Sequence, residues 1–177
     1  AVAGSRLGIN PFDQPDVEAA KKLSREVITR YKEKGSVPED APALQGEGIA
    51  VYGDVRAASL KDALAGFLKQ GETGDYAAIQ AYICPAADTD GALSELRCKV
   101  GKTTRLATTV GYGPRFLHST GQLHKGDGGR GLFIQITADD DRDVPIPDGM
   151  GQSASAITFG ILKSAQAAGD RQALSQA

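Results

Sequence analysis

A chain of 177 residues, 41% hydrophobic and 24% charged, has ordinary globular composition and enough length to bury one sizeable core. Its 20 basic and 22 acidic residues leave a formal net charge of -2 with no Trp, so there is no global field or aromatic surface for a polyanion, and nucleic acid is not an expected partner. The two cysteines, Cys84 and Cys98, belong to no CxxC, and no apolar run reaches about 18 residues, which argues against a disulfide framework, a cysteine zinc site and a membrane span.

The N-terminus has neither a basic leader nor a starting Met, and the chain reads as a piece of a longer cytoplasmic protein. Leu7 to Phe12 read as a short extended entry. A helix follows, announced by Asp13 and by Pro15 in its first turn, running to about Lys34 and stopped by Gly35. Ser36 to Gly46, with Pro38 and Pro42, has no periodic apolar pattern and reads as a linker, which puts a domain boundary near residue 44. Beyond it short apolar runs alternate with helical ones. Gly48 to Tyr52 read as strand and Ser59 to Lys69 as a helix capped by Ser59, with Leu60, Leu64, Phe67 and Leu68 on one stripe. Tyr76 to Ile83 read as strand, Gly91 to Val100 as helix, Leu106 to Tyr112 and Leu132 to Thr137 as strands, and Ser155 to Ala168 as a last helix ended by Gly169. This alternation predicts an α/β fold: a three-layer αβα sandwich with a mostly parallel sheet of about four or five strands, the first helix lying outside its core.

Several motifs fail on context. Gly126, Gly128 and Gly131 satisfy GxGxxG, but a strand rather than a helix is expected after them, so a dinucleotide fingerprint gives way to a glycine turn. Gly101, Lys102 and Thr103 resemble the end of a P-loop whose first glycine would have to stand at Leu96. Asp139, Asp140, Asp141 and Asp143 could gather a hard cation, but Arg142 sits among them and a solvated turn is the simpler reading. His118 and His124 lack the spacing that pairs two imidazoles on a helix for zinc, so no metal is expected.

Two stretches carry more. At roughly 100° per residue, Val17, Ala20, Ser24, Val27, Ile28 and Tyr31 share one face of the first helix, and Lys21 falls at its margin while Lys22, Arg25 and Glu26 point away. On spacing alone Lys21 is a lysine whose stem covers apolar surface. The second stretch, Thr108 to Lys125, runs from a glycine-bearing strand into a compact set of hydroxyl, amide, imidazole and ammonium groups, at the kind of strand end where open α/β sheets bind ligands. There His118, with an unperturbed pKa of about 6.5, could exchange a proton near neutrality or serve as a structural hydrogen-bonding group.

Residues 8 to 21, GINPFDQPDVEAAK, resemble the C-terminal signature of glucose-6-phosphate isomerases, with Phe12, Asp13, Gln14, Val17, Glu18 and Lys21 on its spacing. His118 to Gln122, HSTGQ, is similar to the histidine-bearing motif of the same enzymes. In ordinary isomerases that motif comes first; here it comes second. This order, with LATTVGYGPRFLHSTGQLHK and the tail from Thr158 to Asp170, resembles the isomerase half of bifunctional transaldolase and glucose-6-phosphate isomerase proteins. The chain departs from that pattern at Asp127 and in the length of Asp148 to Ser155.

The resemblance implies interconversion of glucose 6-phosphate and fructose 6-phosphate through ring opening and a cis-enediol, without cofactor or metal. It implies that His118 and Lys21 share the acid-base work of ring opening and that Gln14 contacts the sugar phosphate. The glutamate that moves the proton between C1 and C2, the phosphate loop and the GGRxS signature have no match here, and are expected upstream, so the piece alone should be inactive. By the same resemblance residues 1–43 are the end of a preceding isomerase domain plus linker, and 44–177 an αβα domain of the sugar-isomerase type. The expected partners are the sugar phosphate and the upstream transaldolase and isomerase domains. Assembly into a homo-oligomer stays open, as does whether Lys21 and His118 meet within one chain. The alternative is a non-catalytic sugar-phosphate-binding or interface domain.

Overall fold

The computed structural model describes residues 1–37 and 40–176. Its centre is β3 (Tyr76–Tyr82), flanked on either side by β4 (Ala107–Tyr112) and β5 (Gly131–Thr137), both parallel to it. The whole of β3 beyond Tyr76 is buried, as a central parallel strand covered on both faces must be. Because side chains alternate along a strand, β3 divides its neighbours in two. Ala77, Ile79 and Ala81 face an apolar layer made by Phe67 and Leu68 of α3 (Leu60–Leu68) and by Leu93, Leu96 and Val100 of α4 (Ala87–Thr104). Tyr76, Gln80 and Tyr82 face α5 (Ser119–Lys125), the 3₁₀ turn Arg115–Leu117 before it, and α6 (Phe159–Leu174). The molecule is therefore mixed α/β with a three-stranded parallel sheet, two strands short of the largest sheet the sequence suggests.

The missing strands pair elsewhere. The run expected as strand from Gly48 to Tyr52 forms β2 (Ile49–Val51), which pairs antiparallel with β1 (Leu44–Gly46) across a two-residue turn, Glu47 and Gly48, both at positive φ. That turn geometry matches the twist of an isolated hairpin, and the pair stays apart from the main sheet. The end of the expected linker is thus strand. Pro38 of that linker lies outside the described residues. A second small ribbon joins β6 (Pro145–Ile146) to β7 (Ile157–Thr158), so of the last helix expected from Ser155, Ile157 and Thr158 are strand and helix begins only at Phe159.

The other helices follow local signals with three corrections. Ser59 caps α3 as expected, its Oγ accepting from the Asp62 amide at 3.1 Å. The first segment is helical rather than extended: α1 (Val2–Leu7) closes at Gly8, and Asn10 then bonds the Phe12 amide at 3.1 Å in an Asx turn, which takes these residues away from strand geometry. The long helix α2 (Pro15–Lys34) ends at Gly35 as expected, yet it does not lie outside the core. Val17, Ala20, Ser24 and Val27 are buried, and Ala20 packs with Leu117 and with Ala173 of α6.

Gly169 supplies the third correction. It sits inside α6, and a Cβ there would fall 2.2 Å from Ser24 Oγ and 2.6 Å from the Ser24 amide nitrogen. It is a close-approach residue that lets α2 and α6 pack against each other, and α6 continues past it to Leu174, with its N-terminus capped by two side chains. Thr158 Oγ1 accepts from the Ile161 amide at 3.2 Å and Asp143 Oδ1 from the Gly160 amide at 2.8 Å.

Candidate functional site

The two stretches singled out in the sequence meet. The backbone amide of Asp16, in the first turn of α2, donates to Gln122 Oε1 at 3.2 Å, and Gln122 Nε2 donates back to Asp16 Oδ2 at 2.5 Å. One turn further along α2, Ala20 touches Leu117. Lys21 follows Ala20 and His118 follows Leu117, so the two candidate acid-base residues are the chain neighbours of a contacting pair. Both are open to solvent: His118 is exposed at the entry to α5, and the Lys21 side chain is 35% exposed at the margin of the buried stripe. Lys21 Nζ bonds Glu18 Oε1 at 2.6 Å, and that hydrogen bond and charge hold the Glu18 carboxyl below the usual carboxylate range. Gln14 is exposed at the residue preceding α2, with no side-chain capping bond. Among the described residues no hydrogen bond joins any two of Lys21, His118 and Gln14.

Beneath this surface lies a polar layer that sequence reasoning missed. Lys125 and Asp170, 1% and 0% exposed, form an ion pair, and Lys125 Nζ also donates to the Phe116 carbonyl at 3.0 Å. Burial pushes the Asp170 carboxyl up, against the opposing pull of Lys125; burial and that same carboxylate push the adjoining Tyr82 hydroxyl up. Gln80 Nε2 lies 3.4 Å from His124 Nδ1, and the buried His124 ring is enclosed by Phe116, Phe133 and Tyr76 at centroid distances of 5.8, 5.3 and 6.0 Å. Burial is the main cause that lowers the His124 pKa, favouring the neutral ring. The signals available in sequence were small: Asp170 closes the tail that carries the resemblance, and Lys125 closes the stretch after HSTGQ.

The glycine run after α5 is a turn into β5, as its context implied. Asp127 organises it, accepting from the Gly129 and Arg130 amides at 3.0 and 3.2 Å through Oδ1 and from the Tyr76 hydroxyl through Oδ2. Asp127 thus ties the turn to β3. Two residues of the acidic run are engaged locally: Asp140 pairs with Lys163 at 2.7 Å and Asp143 caps α6. Among the described residues no three His, Cys, Asp or Glu side chains gather so as to hold a metal ion, and no helix is long and apolar enough to cross a membrane.

Compared with the models of known protein families, with curated proteins and with solved structures, the chain finds no match.

Proposed function

We propose that this chain is the C-terminal part of a glucose-6-phosphate isomerase of the transaldolase-fused kind, a cytoplasmic enzyme in which its strands and helices form a three-layer αβα domain of the sugar-isomerase type. The observation that carries the reading is the contact between α2 and the His118 turn. Two stretches far apart in sequence, each resembling a motif of one enzyme family, are joined by the reciprocal Asp16 and Gln122 hydrogen bonds and by Ala20 against Leu117.

In this reading the closed sugar opens between Lys21 and His118. The anomeric hydroxyl gives up its proton, the bond between C1 and the ring oxygen breaks, and the ring oxygen takes a proton. An ammonium and a near-neutral imidazole are chemically suited to these two transfers. The Gln14 amide contacts phosphate or hydroxyl oxygens of the open chain. Proton transfer between C1 and C2 then falls to a glutamate upstream, in the same protein, where the phosphate loop also lies. Titration of the chain with fructose 6-phosphate, followed by NMR, tests the reading: resonances of Gln14, Lys21 and the His118 turn should shift together and saturably. Shifts scattered over the surface, or none at millimolar sugar phosphate, would count against it.

A second reading, a non-catalytic interface domain, is favoured by the exposed apolar side chains of Leu7, Ile9 and Phe12 just before the Gln14 end of α2. It predicts that a partner covers those three residues while His118 and Lys21 remain unaffected by sugar phosphate.

A further inference from the structure

The fully buried charges of Lys125 and Asp170 lie directly behind the turn that presents His118. Lys125 ends α5 and His118 precedes its first residue, so the Lys125 ammonium reaches back along its own helix to the carbonyl of Phe116, two residues before His118. Gly121, between them, leaves the room for this: a Cβ there would lie 1.6 Å from the Phe116 oxygen and 2.9 Å from Lys125 Nζ. Asp170, from α6, pairs with the ammonium, and the Tyr82 hydroxyl of β3 is buried with no hydrogen-bond partner among the described residues. The turn is therefore gripped twice, by this polar anchor at Phe116 and by the apolar contact of Leu117 with Ala20 and Ala173.

Apolar residues of similar volume would fill the same space without the desolvation penalty that two buried charges carry, so net stability is a poor reason for the pair. What the charges add over apolar filling is direction. A carbonyl fixed by an ammonium sets the backbone of residues 116 to 118, and with it the direction in which the His118 imidazole leaves the surface.

We propose that Lys125 and Asp170 are positioning residues for His118. They are sealed from solvent and act through the Phe116 carbonyl, never on the sugar. The inference rests on the reading of His118 as an acid-base group.

The test uses the intact protein with three changes: Lys125→Met, the double variant Lys125→Met with Asp170→Leu, and Asp170→Asn, which keeps the side-chain shape and removes the charge. Isomerase kcat and KM are measured alongside the NMR titration of the His118 ring and amide exchange at residues 115–118. The double variant should stay folded and lose about 10- to 100-fold in kcat with KM within about twofold, the scale on which small misplacement of a reacting group is felt. Its His118 ring resonances should shift or broaden. Asp170→Asn should show the same changes in smaller degree, and it carries the test if both lysine variants fail to fold. Wild-type kcat and wild-type His118 resonances in the folded variants would overturn the proposal. An intact wild-type protein without isomerase turnover would sink the isomerase reading alone, and the His118 resonances would still decide whether the anchor positions it.

Discussion

The two faces of β3 are built on different principles. Ala77, Ile79 and Ala81 pack in clusters of aliphatic and aromatic side chains from α3, α4 and the flanking strands, and that layer holds by area buried and by close packing. Tyr76, Gln80 and Tyr82, one residue out of phase, meet His124, Asp127 and Asp170. Polar groups there are costly unless matched, and two of them, Gln80 Oε1 and the Tyr82 hydroxyl, are buried with no hydrogen-bond partner among the described residues. A single strand thus separates a layer whose whole task is cohesion from one that accepts a penalty to fix particular atoms. The costly face is the one behind His118.

The first way to sharpen the contrast is to remove one charge from the polar face. Asp170→Ala leaves Lys125 buried and unpaired, and should cost about 3–5 kcal/mol in urea unfolding, whereas replacing both partners by apolar residues should cost far less. On the other face Ile79→Ala should cost about 2–5 kcal/mol, and no second substitution should relieve it in that way. Equal losses in the single and double charge variants would erase the distinction between the faces.

A smaller effect is expected where α6 meets α2. In an isolated helix Gly169→Ala would gain about 1 kcal/mol of propensity, but the new Cβ would meet the Ser24 side chain and backbone, and overpacking of this kind costs about 1–3 kcal/mol. The clash should win, giving a net loss in stability that Ser24→Ala relieves only in part, because the Ser24 amide nitrogen remains in the way. A stabilised Gly169→Ala protein would show that α2 moves off α6 freely.

The smallest effect concerns pH. Burial lowers the His124 pKa in the folded state, so below the ordinary imidazole value of about 6.5 the unfolded chain binds more protons than the folded one. Stability should therefore fall as pH drops from about 6.5 toward the lowered folded value, and then level off for this group. Asp170, whose pKa is raised, contributes a slope of opposite sign, so the test is the difference between wild type and His124→Gln across that window. Parallel pH profiles for the two proteins would show that His124 titrates freely when folded.

Much of this was legible where signals are local. The stripe Val17, Ala20, Ser24, Val27 marked the buried face of α2, and Lys21 was read correctly at its margin. Ser59, Gly35 and the apolar run of β3 each announced their element through capping, turn or burial chemistry that acts within a few residues. Apart from the first segment, where α1 and the Asn10 turn replace an expected extended entry, the failures were non-local. Gly169 has the local look of a helix stop, and only Ser24, from another helix, explains why it lies inside one. The hairpin at residues 44–51 resembles any short strand until its partner is known. The Lys125 and Asp170 pair spans two helices, and no spacing rule connects them. For the site, residue types and motif resemblance nominated Lys21, His118 and Gln14, but that their two stretches meet depends on Ala20 and Leu117 sharing one buried cluster, which is tertiary packing.

The most direct measurement of the central claim is isomerase turnover of the intact protein with single substitutions on the two meeting stretches. His118→Ala and Lys21→Ala should each lower the rate by roughly 10²-fold or more, the usual scale for loss of an acid-base group, while Lys22→Ala, on the exposed side of the same helix, should leave it nearly unchanged. Full turnover in a correctly folded His118→Ala or Lys21→Ala protein would contradict the account and leave the non-catalytic reading ahead.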